Sequence, residues 1–455
     1  MAKAGQGEVD LLQGPVLGGM LRFALPIMVG TLLQQLYSMV DAVVLGQFVG
    51  KAALAAVGGS TIAIINLLLN FFVGLTSGAA IVVSQHHGAR EPEQVSRAVH
   101  TSLLLAVGVG ALLTVLGIAT SEPLLTALDT PADTMAYSLD YMRWYYVGMI
   151  PCMIYNMGSS VLRAVGDSRR PLYFLILCTV VNTVLDLLFV AVLKMEVAGA
   201  AIATSLSQLI CAAFVLRSLS RRQDACRLEL SKLRADRPLL WMMVRLGVPA
   251  GLQSMLYNVT NVYVQKAVNL MGTDTVAAWS ICGKVDGVFW PISGAIGIAV
   301  MTFVGQNYGA RNKARVHAGI RAGLALHAGM SLFFSLVVVS LRHFTAQLFS
   351  TDAEVLRQAE LFVLCFSPFY ILFSAVEVFS SVMRGVGNAV KPALITFFGV
   401  SVLRMVLLFA VTFPHPSIYT VSLCYPTTWI VTSLLFFLYY KFGHWMPQWE
   451  ESRSD

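Results

Sequence analysis

Val83-Ser-Gln-His-His-Gly-Ala-Arg90 returns further along the chain as Val304-Gly-Gln-Asn-Tyr-Gly-Ala-Arg311, with five of eight positions identical. Ser159-Ser-Val-Leu-Arg-Ala-Val-Gly166 returns in the same way as Ser380-Ser-Val-Met-Arg-Gly-Val-Gly387, and each copy is followed by a proline, Pro171 and Pro392. Both pairs lie 221 residues apart, while Leu25-Pro26 matches Val248-Pro249 at 223, so one small indel separates the copies. Duplication on this scale predicts one structural unit built twice.

The sequence around these fragments is apolar. Of 455 residues, 57% are hydrophobic and 12% charged, about half the ~25% charged share of an ordinary soluble domain. Such a chain cannot cover a water-facing surface, which excludes a soluble fold and leaves an integral membrane protein. Stretches of about 20 residues or more, enough to cross a ~30 Å hydrocarbon layer, fall near 20–44, 54–83, 97–120, 132–156, 171–193 and 197–219. A second set falls near 241–270, 275–304, 317–341, 354–382, 392–413 and 418–441. Each copy holds six spans, an even number, so both enter the membrane from the same side and a pseudo-two-fold axis along the membrane normal is expected. The expected fold class is an all-α integral membrane protein with twelve transmembrane helices in two pseudo-symmetric six-helix bundles. The bundles are 20–219 and 241–441, with a retained lead-in at 1–19, a basic linker at 220–240 and a tail at 442–455. The linker reads as a solvated tether, with an amphipathic helix on the inner leaflet as the alternative.

Lys and Arg in the loops set the orientation. With the N-terminus inside, the inner segments carry 23 basic residues and the outer loops four, Lys51, Lys194, Arg342 and Arg357. Both termini are therefore expected in the cytoplasm, in a multi-pass plasma (cytoplasmic) membrane protein. The net charge of +7 becomes a topological signal facing anionic lipid, and nucleic acid is not an expected partner. The seven cysteines form no C-x-x-C pair and read as small buried hydrophobes. His86 and His87 fall on an inner loop and His327 reads as a core residue. The glycines from Gly283 to Gly297 match no phosphate loop and suggest close helix packing around Pro291. No enzyme site and no cofactor are expected.

Charges inside hydrocarbon cost about 2.5 kcal/mol or more each and mark ion or substrate pathways. Asp41 lies in the first span, and Tyr37, Gln34 and Gly30 precede it on the same helical face. Pro26 gives that helix a place to bend. Asn182 and Asp186, four apart, share a face of the fifth span, and Thr204 lies in the sixth. Two carboxylates, an amide and a hydroxyl form an oxygen-rich set suited to a proton or a hard cation such as Na⁺. The second copy does not repeat it: the positions 221 beyond Asn182 and Asp186 are Leu403 and Leu407. Instead it holds Lys284 and Asp286 in the eighth span, Glu377 in the tenth and Arg404 in the eleventh. Structural ion pairs, Asp286 with Arg404 or Glu377 with Lys284, are the leading reading for these four, with substrate contact or a second coupling site the alternative. Asp140 and Arg143 are expected to neutralise each other, and Lys266 to snorkel.

This sequence resembles the multidrug and toxic compound extrusion (MATE) family over about 20–441. Leu25-Pro26, Val83–Arg90 and its copy, Arg163-Ala-Val-Gly-Asp167 with Arg384-Gly-Val-Gly-Asn388, and Gly199-Ala-Ala-Ile-Ala-Thr204 carry the likeness. The resemblance implies two six-helix bundles around a V-shaped cavity, and efflux of cationic drugs against inward H⁺ or Na⁺. It also makes Asp41, Asn182, Asp186 and Thr204 the cation-coupling set of the DinF-like branch, serving as metal ligands only if the ion is Na⁺. Gln34, Tyr37, Asp286 and Glu377 are expected on the substrate cavity. The expected partners are small cationic drugs or dyes and membrane lipids, and the expected state is a monomer. A flippase for a lipid-linked saccharide or other amphiphilic lipid is the alternative reading.

Overall fold

In the computed structural model, which describes residues 8–447, the regular elements are helical and no strand forms among the described residues. The helices that carry the first copy are α1 (Val16–Phe48), α2 (Ile62–Gly88), α3 (Pro92–Ala127), α4 (Ala132–Val147), α5 (Met149–Ala164), α6 (Arg169–Asp186) and α7 (Glu196–Ser220). The second copy is carried by α8 (Arg237–Asn269), α9 (Thr273–Gly309), α10 (Lys313–Ser340), α11 (Ala353–Phe366), α12 (Tyr370–Gly385), α13 (Val390–Thr396), α14 (Leu403–Leu407) and α15 (Ile418–Phe442). Among the described residues, eleven helical segments are long and apolar enough to cross a membrane. The chain is a multi-pass, all-α membrane protein.

Of the twelve expected spans, the fourth, 132–156, is the one missing from those eleven segments. It breaks at Gly148 into α4 and α5, each of 16 residues, or about 24 Å at 1.5 Å per residue, short of the ~30 Å layer. The Gly148 amide closes the turn on the Tyr145 carbonyl at 3.0 Å. A Cβ at this position would lie 2.4 Å from Ser205 Oγ, so the glycine admits α7 at close range. Pro151 falls in the first turn of α5, where its missing N–H leaves no bond unmade. The second copy breaks at the equivalent place, where the 3₁₀ turn Ser367–Phe369 separates α11 from α12.

Other backbone features repeat at the same offset. Arg90 and Arg311 end the two quoted octapeptides in the left-handed region, at φ 60° and 54°. The helix closes over each: the Glu91 amide reaches His86 O at 3.1 Å and the Asn312 amide reaches Asn307 O at 2.9 Å. These bonds satisfy end carbonyls and offset the ~1–2 kcal/mol that a side chain costs there. Gly166 and Gly387 also pair, at φ 96° and 87°. π-helical stretches, Leu187–Val192 after α6 and Leu408–Thr412 after α14, begin 221 residues apart.

By contact density the chain forms two units, one of Leu25–Gly251 with the segment up to Asp10, and one of Leu11–Ala24 with Leu252 onward. The division falls inside α1 and α8, whereas the sequence places it in the linker. The first part of α8 stays with the first unit because Gly247 and Gly251 pack backbone to backbone on α2. A Cβ at Gly251 would lie 2.4 Å from Phe71 O, and one at Gly247 would lie 2.7 Å from the Leu75 backbone.

The lead-in and the linker are both more ordered than expected. Val9 N donates to Gly166 O at 3.0 Å. Leu11 is 1% exposed, and its carbonyl accepts from Asn307 Nδ2 and Arg315 Nη2, both at 3.1 Å. The linker is docked and is not a solvated tether. Cys226 and Leu228 are buried, Asp236 N donates to Thr101 Oγ1 at 3.1 Å, and His100 Nε2 meets the Glu229 backbone at 3.1 Å. Arg222 is buried in an acidic cluster, 2.5 Å from Glu8 Oε1 and 3.9 Å from Asp167 Oδ2, with Asp224 as its close partner.

Candidate cation-coupling site

α1, α6 and α7 bring the four expected coupling residues together within the first unit. Asn182 and Asp186 are fully buried, Thr204 nearly so, and Asp41 is half-buried. Each polar group needs a partner at this depth, because an unpaired amide or hydroxyl costs roughly 1–3 kcal/mol and an unpaired charge more. Asn182 supplies two of them. With its amide oriented so that the nitrogen faces the acids, Nδ2 lies 2.9 Å from Asp41 Oδ1 and 2.9 Å from Asp186 Oδ2. That orientation is assigned from the hydrogen-bond network, since the alternative points oxygen at oxygen. The Asp41 and Asp186 carboxyls, bridged by one amide, also interact with each other, so the pair can share one proton. Asp186 Oδ1 has no hydrogen-bond partner, a lone pair left free beside the other acid.

Tyr37 joins this group from α1, one turn before Asp41. Its hydroxyl donates to Thr204 Oγ1 at 3.2 Å. Gln34, a further turn back, is exposed and contributes no bond to the set, while Gly30 is buried where a Cβ would touch Leu175. Pro26 lies inside an uninterrupted 33-residue helix. The sequence reading missed Tyr141 and Tyr145 on α4. Their rings stack at 5.7 Å, and both phenols lie close enough to Asp41 to interact with its charge. Four-residue spacing puts them on one helical face, a signal present in the sequence, but nothing in it aims that face at Asp41. Among the described residues, no group of three His, Cys, Asp or Glu side chains is arranged to hold a metal.

In the second unit the expected ion pairs are replaced by other contacts. Asp286 accepts a hydrogen bond from Tyr370 beside an aromatic core in which Phe289 stacks on Tyr370 at 4.0 Å. Glu377 accepts from Ser381 Oγ at 3.3 Å and lies 3.9 Å from Arg384 on its own helix, α12. Lys284 sits over the Phe349 ring at 4.6 Å. Arg404 is 3% exposed and stacks on Tyr425 at 4.1 Å. Neither Asp286–Arg404 nor Glu377–Lys284 forms, because each acid has a nearer partner on α12. The two acids serve separate networks. Asp140 and Arg143 are both exposed, and no ion pair joins them. Of the suspect glycines, only Gly297 is closely packed, with Glu377 Oε1 1.9 Å from where a Cβ would be, while Gly283, Gly287 and Gly294 face open space. His327 is a core residue held by Ser293 Oγ at 2.7 Å and Ser374 Oγ at 2.9 Å, and the cysteines are free thiols, all but Cys365 buried.

One family model matches the chain twice, once in each copy. The MatE family model matches residues 26–188 and again 249–410. The probable multidrug resistance protein YoeA of Bacillus subtilis is 28% identical over 430 residues, covering 92% of each chain. An FAD transporter of Shewanella oneidensis is 25% identical over 385 residues, covering 82% of this chain and 83% of that one. A MOP superfamily transporter from Pyrococcus furiosus superposes with a TM-score of 0.89 at 21% identity, over 96% of this chain and 98% of its own. A multidrug resistance MATE family transporter, solved in an outward-facing conformation, gives the same TM-score, identity and coverage. With both copies matched and the helical fold shared, the chain belongs to the MatE family of membrane transporters.

Proposed function

We propose that this protein is a secondary active antiporter. It exports cationic, aromatic amphiphiles from the cytoplasm in exchange for H⁺ or Na⁺, by alternating access. The observation that carries the reading is the Asn182 amide placed 2.9 Å from both Asp41 and Asp186, which binds a half-buried and a buried carboxyl into one cation-accepting group. Such a pair binds a cation at the cost of separating the acids from their amide, so ion occupancy and local geometry are linked. Asp41 and Tyr37 ride on α1, whose Pro26 removes one intrahelical bond and permits bending. Ion binding at Asp41 and Asp186 would shift α1 against α6 and α7 and expel the cargo. The names of relatives support the cargo class, since YoeA is a probable multidrug resistance protein and the similar MepA of Staphylococcus aureus is a multidrug export protein. The excess of Lys and Arg on one set of loops supports a cytoplasmic-membrane location with both termini inside.

The test is dye export from proteoliposomes with an imposed pH or sodium gradient, for the wild type, Asp41→Asn and Asp186→Asn. Gradient-driven export that collapses in both variants supports the reading. Export at full rate in Asp41→Asn, or export driven by neither gradient, refutes it.

A further inference from the structure

Arg404 is a charge without a counter-charge. Its guanidinium is 3% exposed, and no carboxylate lies within ion-pairing distance of it among the described residues. One face is covered by the Tyr425 ring at 4.1 Å, Nη2 makes a long contact of 3.5 Å to Thr428 Oγ1, and Nε has no partner at all. A buried charge lacking its partner is strongly unfavourable, and inside a membrane it marks a functional site. Arginine also offers five N–H donors in a planar fork that fits an oxyanion through two parallel bonds, and here that fork is almost unused.

The repeat shows that the helix packing does not require this arginine. The positions 221 before Arg404 and Tyr425 are Thr183 and Thr204. Thr183 satisfies itself on Thr179 O at 2.9 Å, and Thr204 belongs to the acidic, cation-accepting set of the first unit. The same two places thus carry an arginine and a tyrosine in the second copy, adding a positive charge where the first copy has a neutral hydroxyl. Space for an organic body opens on the same stretch of helix, where Ser401, Val402 and Met405 flank Arg404 in sequence. A cavity of about 660 Å³, lined by Leu256, Thr260, Ser401 and Met405 among others, lies along α8 and the α14 region, within the size range of small-molecule sites. Tyr257 and Tyr425 are half-buried and interact with the charge of Arg404, so two phenols stand beside the guanidinium.

We propose that Arg404 is the centre of an anion-accepting site within the second unit, which seats the carboxylate or phosphate of an aromatic compound that the protein carries. The proposal rests on the transporter reading above and extends its cargo from cations to aromatic acids and zwitterions.

Binding of pyrenebutyrate and of its uncharged amide is measured by fluorescence on protein in phosphatidylcholine nanodiscs, with no gradient present. Ion coupling therefore does not enter, and a failed antiport assay leaves this result standing. A charge-assisted fork predicts the acid bound at least about tenfold more tightly than the amide. Arg404→Gln removes that preference, and Arg404→Lys, a single point charge, keeps part of it. Rhodamine 6G binding at wild-type affinity in both variants shows that they are folded. Equal affinity for acid and amide overturns the proposal, as does a preference that survives Arg404→Gln. Loss of the preference in nanodiscs containing phosphatidylglycerol also overturns it, because the anion held would then be a lipid headgroup.

Discussion

The Asn182 amide nitrogen lies 2.9 Å from Asp41 Oδ1, and this contact ties α6 to α1 across most of the first copy. Because the same nitrogen also reaches Asp186, Asn182→Ala removes two hydrogen bonds to acids at one stroke. Bonds to charged groups are worth about 1.5–3 kcal/mol each, so gradient-driven dye export is expected to fall by about a hundredfold or more. Initial rates in proteoliposomes measure this. Export within twofold of wild type would mean that Asn182 only fills space.

Tyr37 and Thr204 form a weaker link of the same kind, one neutral hydrogen bond at 3.2 Å. Tyr37→Phe and Thr204→Val each remove about 0.5–1.5 kcal/mol and should slow export by less than about tenfold. If the bond is the shared cause, the double variant is no slower than the worse single variant. Fully multiplicative losses would show that the two side chains act separately.

The candidate site was legible because it is made of local patterns. The four-residue spacing of Asn182 and Asp186, and the run Gly30, Gln34, Tyr37, Asp41, each fix a helical face, and the cost of burying such groups forces those faces together. The duplicated fragments were legible for the same reason, and their backbone angles match copy for copy. Contacts set by three-dimensional proximity were not. Spacing places Tyr141 and Tyr145 on one face but says nothing of what that face meets. The proposed partners of Asp286 and Glu377 were chosen by charge, whereas Tyr370 and Arg384 took those places by position on α12. The linker read as a tether because its basic residues look solvated, while Arg222 finds Glu8 more than two hundred residues away.

The close approach of α2 and α8 gives a paired test. A Cβ at Gly78 would lie 2.1 Å from Met243 O and 2.7 Å from Gly247 N, both backbone atoms. Backbone cannot rotate away as a side chain can, so Gly78→Ala must push the helices apart. Overpacking of this kind costs about 1–3 kcal/mol. Gly287→Ala, where nothing lies within 4 Å, should be neutral or stabilise by up to ~1 kcal/mol through helix propensity. Thermal unfolding followed by fluorescence-detected gel filtration should therefore show a fall in Tm for the first and none for the second. Equal Tm values would contradict the packing.

The docked linker has a pH signature whose sign follows from its charges. Partial burial works to raise the Asp224 carboxyl, but its hydrogen bonds with Arg222 and the charge of that guanidinium outweigh this, so its pKa is lowered. A lowered acid contributes stability above its unfolded value, about 3.8, and loses it as pH falls through the folded one. Asp167 behaves oppositely. Burial raises its pKa against the pull of Arg170, so its contribution is present in acid and fades as pH rises. The Cys226 amide donates to Asp224 Oδ1 at 3.1 Å and reports on the first effect. Its hydrogen exchange, corrected for intrinsic rate, should be equally protected at pH 7 and pH 5 and lose protection near pH 3. Asp224→Asn should show weaker protection at every pH and no such step. Cys226 itself is 1% exposed, and burial pushes its thiol up to about 12, so maleimide should label it slowly at neutral pH. Arg222→Ala, which leaves Glu8, Asp167 and Asp224 without their shared cation, should speed that labelling about tenfold or more, since removing one partner of a buried ion pair costs about 3–5 kcal/mol. Labelling at the wild-type rate would show that the linker is held by its apolar contacts alone.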